Sequence, residues 1–238
     1  MTRNKKKWFL FLGIGVALLL VVSLAWRMVE REREIRLSQV AEQAMEKAYD
    51  IKATPEGQKV VARIGDFAIS YGDVNVLAQE LLIYQIKKPE ELRPLTTEDM
   101  QFAFNEFTFK ALNAMAARER GVVLDWDEVK EKRKIECEAF ASRPGRYGGM
   151  CGVARSRLRH LEDDRIYNIV LIISREIMSG EEVKQVQQMD SVEGISLLGQ
   201  LSQERLKATA RKYPLLIYDN RFQQPLWVEQ LENVNPGI

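Results

Sequence analysis

VVARIGDFAI (Val60–Ile69), SYGDV (Ser70–Val74) and TTEDMQFAFNEFTFKALNAMAARERG (Thr96–Gly121) decide how this chain folds. The first segment is β-branched and apolar and reads as one short strand. Ser70 stands where an N-cap is needed, and Asp73, three residues on, supplies the return acceptor of a capping box. The helix that follows, Ser70 to Ile86, buries Val74, Leu77 and Leu81 at three-and-four spacing, with Tyr84 at the margin of the stripe. Lys87-Lys88-Pro89 breaks it. Pro94 then precedes a second cap, Thr96 with Asp99. The long helix from Thr97 to Arg120 stops at Gly121. Asp125 caps a further helix that begins at Trp126 and runs to about Phe140.

Taken in order, these are a strand reading valine-x-x-isoleucine-glycine-aspartate, a capped helix, a long helix ending in Arg-Glu-Arg-Gly-Val, and another capped helix. That order, over roughly Val60 to Val183, resembles the N-terminal chaperone domain of the SurA/PpiD family of periplasmic folding factors. The resemblance implies a helical SurA-N-like domain with one or two short strands. With the N-terminal apolar run Trp8–Trp26, the expected fold class is mainly α, a single N-terminal transmembrane helix followed by that domain. In that family a capped segment like Ser179-Gly180-Glu181-Glu182-Val183 often leads into a parvulin-type isomerase domain. The residues left after Val183 are too few for one. The parvulin site also typically uses a pair of histidines, and His160 is the only histidine here. Isomerase activity is not expected.

The whole-chain numbers set looser limits. The chain has 238 residues, 46% of them hydrophobic, enough for a sizeable core. Its 35 basic and 34 acidic residues leave a net charge of +1, so no global charge argues for nucleic acid. The charges are interspersed as on solvated helical faces.

Trp8 to Trp26 reads WFLFLGIGVALLLVVSLAW, nineteen residues without a charge. At about 1.5 Å per residue, such a helix matches the roughly 30 Å hydrocarbon core. The two tryptophans bracket it where amphipathic rings favour the interface. Arg3, Lys5, Lys6 and Lys7 precede it, which favours an N-terminus on the cytoplasmic side. A cleaved signal peptide is the rival reading, with Ser23-Leu24-Ala25 as its site, but the apolar run exceeds a typical h-region. The expected organisation is a basic N-terminus (1–7), an anchor (8–26), a helical stalk (27–57), the chaperone-like domain (58–190) and a C-terminal tail (191–238). The tail packs on the domain or on a partner. The anchor and the resemblance together imply a bacterial inner-membrane protein with its bulk in the periplasm.

The stalk has no Gly or Pro up to Lys52 and a thin apolar stripe: Val29, Ile35, Leu37, Val40, Ala44, Met45 and Ala48. Its heptads are not sustained enough to argue for a coiled coil. Thr54-Pro55-Glu56-Gly57 ends it. Strand Val60–Ile69 needs a partner, and Tyr213–Tyr218 (YPLLIY) is the best candidate. Leu197, Leu198, Leu201 and Leu206 suggest a helix before it.

Phe102, Phe104, Phe107, Phe109 and Met115 wrap around the long helix rather than forming one stripe. They are either buried between two helical layers or, in part, line a groove for apolar client segments. Cys137 and Cys151 are the only cysteines and flank a Gly/Pro-rich insert, Ser142–Met150. In a periplasmic compartment such a pair is expected to oxidise, closing a loop worth about 3 kcal/mol. Metal binding through Cys137, Cys151 and His160 is the alternative; its spacing is unlike a usual zinc site, so no metal is expected. The run Arg157–Met178 reads as a central core helix, with His160 on its polar side. Trp227 is either tucked onto the core or presented to a partner.

The chain has no Gly-rich phosphate loop, nucleophile elbow or zinc-protease helix. Binding rather than catalysis is therefore expected, with no cofactor. The partners are polypeptide clients or, alternatively, one membrane complex that the chain serves as a dedicated assembly factor or accessory subunit.

Overall fold

The structure is a computed structural model that describes residues 3–119, 126–162 and 203–233; of the side chains in these ranges, those of 3–18, 126, 230 and 232–233 are outside the description. It is mainly helical with one small sheet. In chain order come α1 (Arg3–Ala53), β1 (Val60–Ile64), β2 (Phe67–Ser70), α2 (Tyr71–Gln85) and a 3-10 turn at Pro89–Glu91. Then follow α3 (Thr97–Glu119), α4 (Trp126–Ala141), α5 (Pro144–Arg159), α6 (203–212), β3 (Leu215–Ile217) and α7 (Leu226–Asn233).

The expected single strand Val60–Ile69 is a hairpin. β1 and β2 pair antiparallel with Ile64 opposite Phe67, so Gly65-Asp66 form a two-residue turn. Gly65 sits at φ +57°, which the first position of such a turn demands and an L side chain resists. The strand candidate at Tyr213–Tyr218 is present as β3. It pairs antiparallel with β1, setting Ala62, Arg63 and Ile64 against Ile217, Leu216 and Leu215. The sheet order is β2-β1-β3, three strands rather than one or two. The chain thus returns from its C-terminal part to complete the sheet begun at Val60.

Both caps form as the sequence implies. Asp73 N–H donates to Ser70 Oγ at 3.1 Å and Ser70 N–H to Asp73 Oδ2 at 3.2 Å. Thr96 and Asp99 repeat the exchange at 2.7 and 3.2 Å. The apolar stripe on α2 is broader than expected. Val74, Ala78, Leu82 and Ile83 are buried, Leu77 and Leu81 are half-buried, and Tyr84 is exposed. The reason is that α2 lies between two cores.

The larger core packs Val61, Ala62, Ile64 and Ile69 of the hairpin against Val74 and Ala78 of α2. Phe104, Phe107, Leu112 and Met115 of α3 fill it, and Leu206, Phe222 and Leu231 from the C-terminal part close it. Phe222 stacks on Phe104 with centroids 4.5 Å apart. The smaller core joins Ala41, Met45 and Tyr49 of α1 to Ile83 of α2 and Val153 of α5. The segment 27–57 is therefore only partly a stalk. From Leu37 to Tyr49, α1 is a member of the body, because α5 supplies a face flat enough to receive it.

That face is the unexpected use of the Gly/Pro-rich insert. Only Ser142 and Arg143 form a turn; Pro144–Met150 is helix. Pro144 opens α5, where a missing N–H costs nothing, and the helix kinks at Gly148, φ +44°. At Gly152 a Cβ would stand 2.1 Å from the Ser38 carbonyl oxygen, so only glycine allows this approach of α1 to α5. Charged groups flank the seam. Arg155 reaches Glu42 at 3.0 Å, and Arg159 reaches Glu42 and Glu46, each at 2.7 Å. Beneath it a buried ion pair, Arg157 with Glu80, ties α5 to α2.

Among the described residues no helix is long and apolar enough to cross a membrane. The expected anchor, 8–26, falls largely outside the described side chains. In its described part and just beyond, Leu19, Leu20, Val21, Val22, Leu24, Trp26, Met28 and Val29 are all exposed on α1. The expected helix Arg157–Met178 does not run through its described part, since α5 ends at Arg159 and a bend and turn follow at 160–162. The expected stop at Gly121, the expected cap at Asp125, the rest of that segment beyond 162, the segment at Ser179 and Leu197, Leu198 and Leu201 lie outside the described residues.

Candidate functional site

The aromatic cluster on α3 divides. Phe104 and Phe107 are fully buried, and Met115 packs with them; these three are core, not groove. Phe102 and Phe109, seven residues apart and so on one helix face, are 51% and 38% exposed. The aromatic positions fall on two sides of α3 because between Phe102 and Asn113 the helix is covered on one side only.

Phe109 leads to Trp227, whose ring centroid lies 6.3 Å away. Trp227 is tucked rather than held out. Its Nε1–H donates to Thr108 Oγ1 at 3.1 Å, and its ring is half-buried on the α3 side of the main core. The reading of Trp227 as a residue presented to a partner is corrected to this extent: its polar end is already used, and only a flank of the ring is available. Gln101 and Gln223 lock the segment ahead of α7 onto α3, with Gln223 N–H donating to Gln101 Oε1 at 2.9 Å.

That exposed flank opens into a groove of about 560 Å³. Leu215 and Ile217 of β3 form its floor. Lys207, Ala210 and Arg211 of α6 make one wall, and Trp227, Val228 and Leu231 of α7 make the other. The volume is that of an ordinary ligand cleft. Lysine and arginine stand at it, and among the described residues no carboxylate lines it.

The floor is also a sheet edge. In the order β2-β1-β3, β3 has no strand on its outer side among the described residues. Tyr218 N–H donates to Val61 O at 2.8 Å, and Leu216 sits opposite Arg63. Backbone groups alternate along an antiparallel strand, so Leu216 and Tyr218 turn theirs toward β1. Leu215 and Ile217 turn their N–H and C=O outward. The sequence marked β3 as a strand, but nothing in YPLLIY says which edge stays open. Lys207 and Arg211, one helical turn apart just before Pro214, were the available signal for the charged wall and went unread.

The expected disulfide is not formed. Cys137 on α4 and Cys151 on α5 are both buried, and no bond joins them. Cys151 S–H instead donates to Ala141 O at 3.2 Å and its sulfur accepts from Arg155 at 3.3 Å. Ala141 lies one turn beyond Cys137, about 6 Å along α4. A turn at Ser142–Arg143 brings α5 back against α4, and the two thiols stay separate in this packing.

His160 does not join the cysteines. It follows the end of α5, stacks on Tyr49 with centroids 4.0 Å apart, and shares a 3.0 Å hydrogen bond with Glu46. Burial opposes ionisation of Glu46, but the bonds from His160 and Arg159 prevail and hold its carboxyl down at about 2. This is a seam contact between α1 and α5. Among the described residues no group of three or more His, Cys, Asp or Glu is placed to hold a metal ion. No family model, curated protein or solved structure matches the chain.

Proposed function

We propose that this chain is a membrane-anchored, extracytoplasmic holding protein that binds unfolded or newly exported polypeptides without isomerase activity. One observation carries the reading: Phe102 and Phe109 stand exposed on one face of α3, and Phe109 lies beside Trp227, which lines the groove with Leu215 and Ile217. Exposed aromatic faces of this kind mark sites that bind apolar chain segments. The anchoring half of the reading rests on the uncharged run Trp8–Trp26 and on the unburied apolar side chains from Leu19 to Val29. The bulk would then stand on the periplasmic side of a bacterial inner membrane, as the basic N-terminus favours.

The test is binding of a permanently unfolded, alkylated polypeptide to the full chain in detergent micelles, comparing wild type with the Phe102→Asp, Phe109→Asp double variant. Both positions are exposed, so the melting temperature should hold while affinity falls more than about tenfold, the loss of roughly 1.4 kcal/mol. Unchanged affinity would overturn the reading. A dedicated subunit of one complex would show itself differently, by binding one stoichiometric partner and ignoring unfolded chains.

A further inference from the structure

We infer that the outer edge of β3 is a strand-addition site, where an extended polypeptide segment of alternating apolar and acidic residues docks as a fourth strand. The inference rests on the holding function above and says how the bound chain is held. Leu215 and Ile217 direct their N–H and C=O groups away from β1, at the two-residue interval that a polypeptide backbone matches. A small apolar ligand would fill the groove and leave those backbone groups unused. A guest strand uses both. Its backbone pairs with Leu215 and Ile217, and alternate side chains lie over the floor these residues share with Trp227, Val228 and Leu231.

Charge selects the guest. The wall of α6 brings Lys207 and Arg211 to the groove, and among the described residues no carboxylate lines it. Among the described residues Arg211 makes no ion pair, unlike Lys212 beside it, which is engaged by Glu119. A guest with carboxylates can pair with Arg211, whereas a lysine-bearing guest meets like charge. Exposed edges invite unspecific pairing. Here the edge is short, and the charged wall restricts what can pair with it.

The experiment titrates the full chain in detergent micelles with two short fluorescein-labelled peptides, one alternating valine and glutamate, the other valine and lysine, read by anisotropy. The valine–glutamate peptide is expected to bind at least about tenfold tighter at low salt, and Arg211→Glu to erase or reverse that order. Methylating alternate backbone nitrogens of the valine–glutamate peptide keeps its side chains and removes its donors, and should weaken binding by about tenfold or more. Ile217→Pro makes the complementary change on the protein. It deletes an outward N–H and leaves the bonds of Leu216 and Tyr218 to β1 in place, a position where edge strands accept proline. Equal binding of the two peptides, or indifference to N-methylation, overturns the inference. The unfolded alkylated polypeptide, titrated alongside, separates the levels. If it binds while the peptides ignore N-methylation and Arg211→Glu, strand addition is wrong and the holding function stands. If it does not bind, both are wrong.

Discussion

Gly152 gives the sharpest test of how the body is assembled. A Cβ there would lie 2.1 Å from Ser38 O, 2.7 Å from Glu42 N and 2.9 Å from Ala41 Cβ. Two of these atoms are α1 backbone and cannot rotate away. To restore ordinary contact, α1 and α5 must part by about 1.5 Å at the crossing, and gaps of this size forfeit half or more of the local dispersion energy. Overpacking of this kind costs roughly 1–3 kcal/mol, and separation of the Glu42, Glu46, Arg155 and Arg159 seam pushes Gly152→Ala to the upper end, about 3 kcal/mol. For a chain of this size that is a fall in Tm of about 6–12 °C. The assay is thermal unfolding by far-ultraviolet circular dichroism, with Gly145→Ala as companion. At Gly145 a Cβ meets only the side chain of Arg31, which is exposed and can swing aside. Alanine there gains helix propensity, so Tm should move by no more than about 3 °C. Equal, small effects at both glycines would refute the close crossing, and with it the placement of α1 inside the body.

The two halves of the α3 cluster should respond oppositely. Phe104→Ala empties a core position and should cost about 3–5 kcal/mol, whereas Phe102→Ala should stay within about 0.5 kcal/mol, both read from urea midpoints. Glu80→Ala removes the carboxylate paired with the buried Arg157 guanidinium and should cost up to about 3–5 kcal/mol. Asp219 is held down at about 2, chiefly by its hydrogen bonds from Arg221, and Glu46 is held at about 2 at the seam. Carboxyls depressed in the folded state stabilise it fully above the unfolded value near 4 and lose that contribution as pH falls toward 2. Asp219, whose side chain is 4% exposed, accounts for on the order of 2 kcal/mol of this. Asp219→Asn should therefore flatten the loss of stability between pH 5 and 2, and an unchanged slope would contradict it.

The sequence announced what local chemistry controls. Ser70 with Asp73 and Thr96 with Asp99 are caps whose partners lie three residues away, and both formed as read. YPLLIY was legible as a strand because its residue types suit little else. Gly65-Asp66 was a legible hairpin signal that went unused; apolar residues on both sides masked the turn between two short strands. The insert around Gly148 was misread for a deeper reason. Glycine and proline usually punctuate, but Pro144 sits at a helix start and Gly152 serves a helix crossing, and a partner helix a hundred residues away cannot be seen from the insert. The same holds for Cys137 and Cys151, whose thiols are placed by the way α5 packs on α4. The site was half legible. Phe102 and Phe109 were named with three core residues, since sequence spacing does not say which side of α3 the hairpin covers. The charged wall and the open edge of β3 arise only where α6, β3 and α7 meet.

The most direct test of the central claim places a photo-crosslinking amino acid at Phe109, and separately at the buried Phe107, in the full chain produced in bacterial cells. Illumination at position 109 should give a ladder of adducts of many sizes that fades when protein export is blocked, and position 107 should give none. A single adduct of constant mass at position 109, unaffected by export, or no adduct at all, would contradict the holding function.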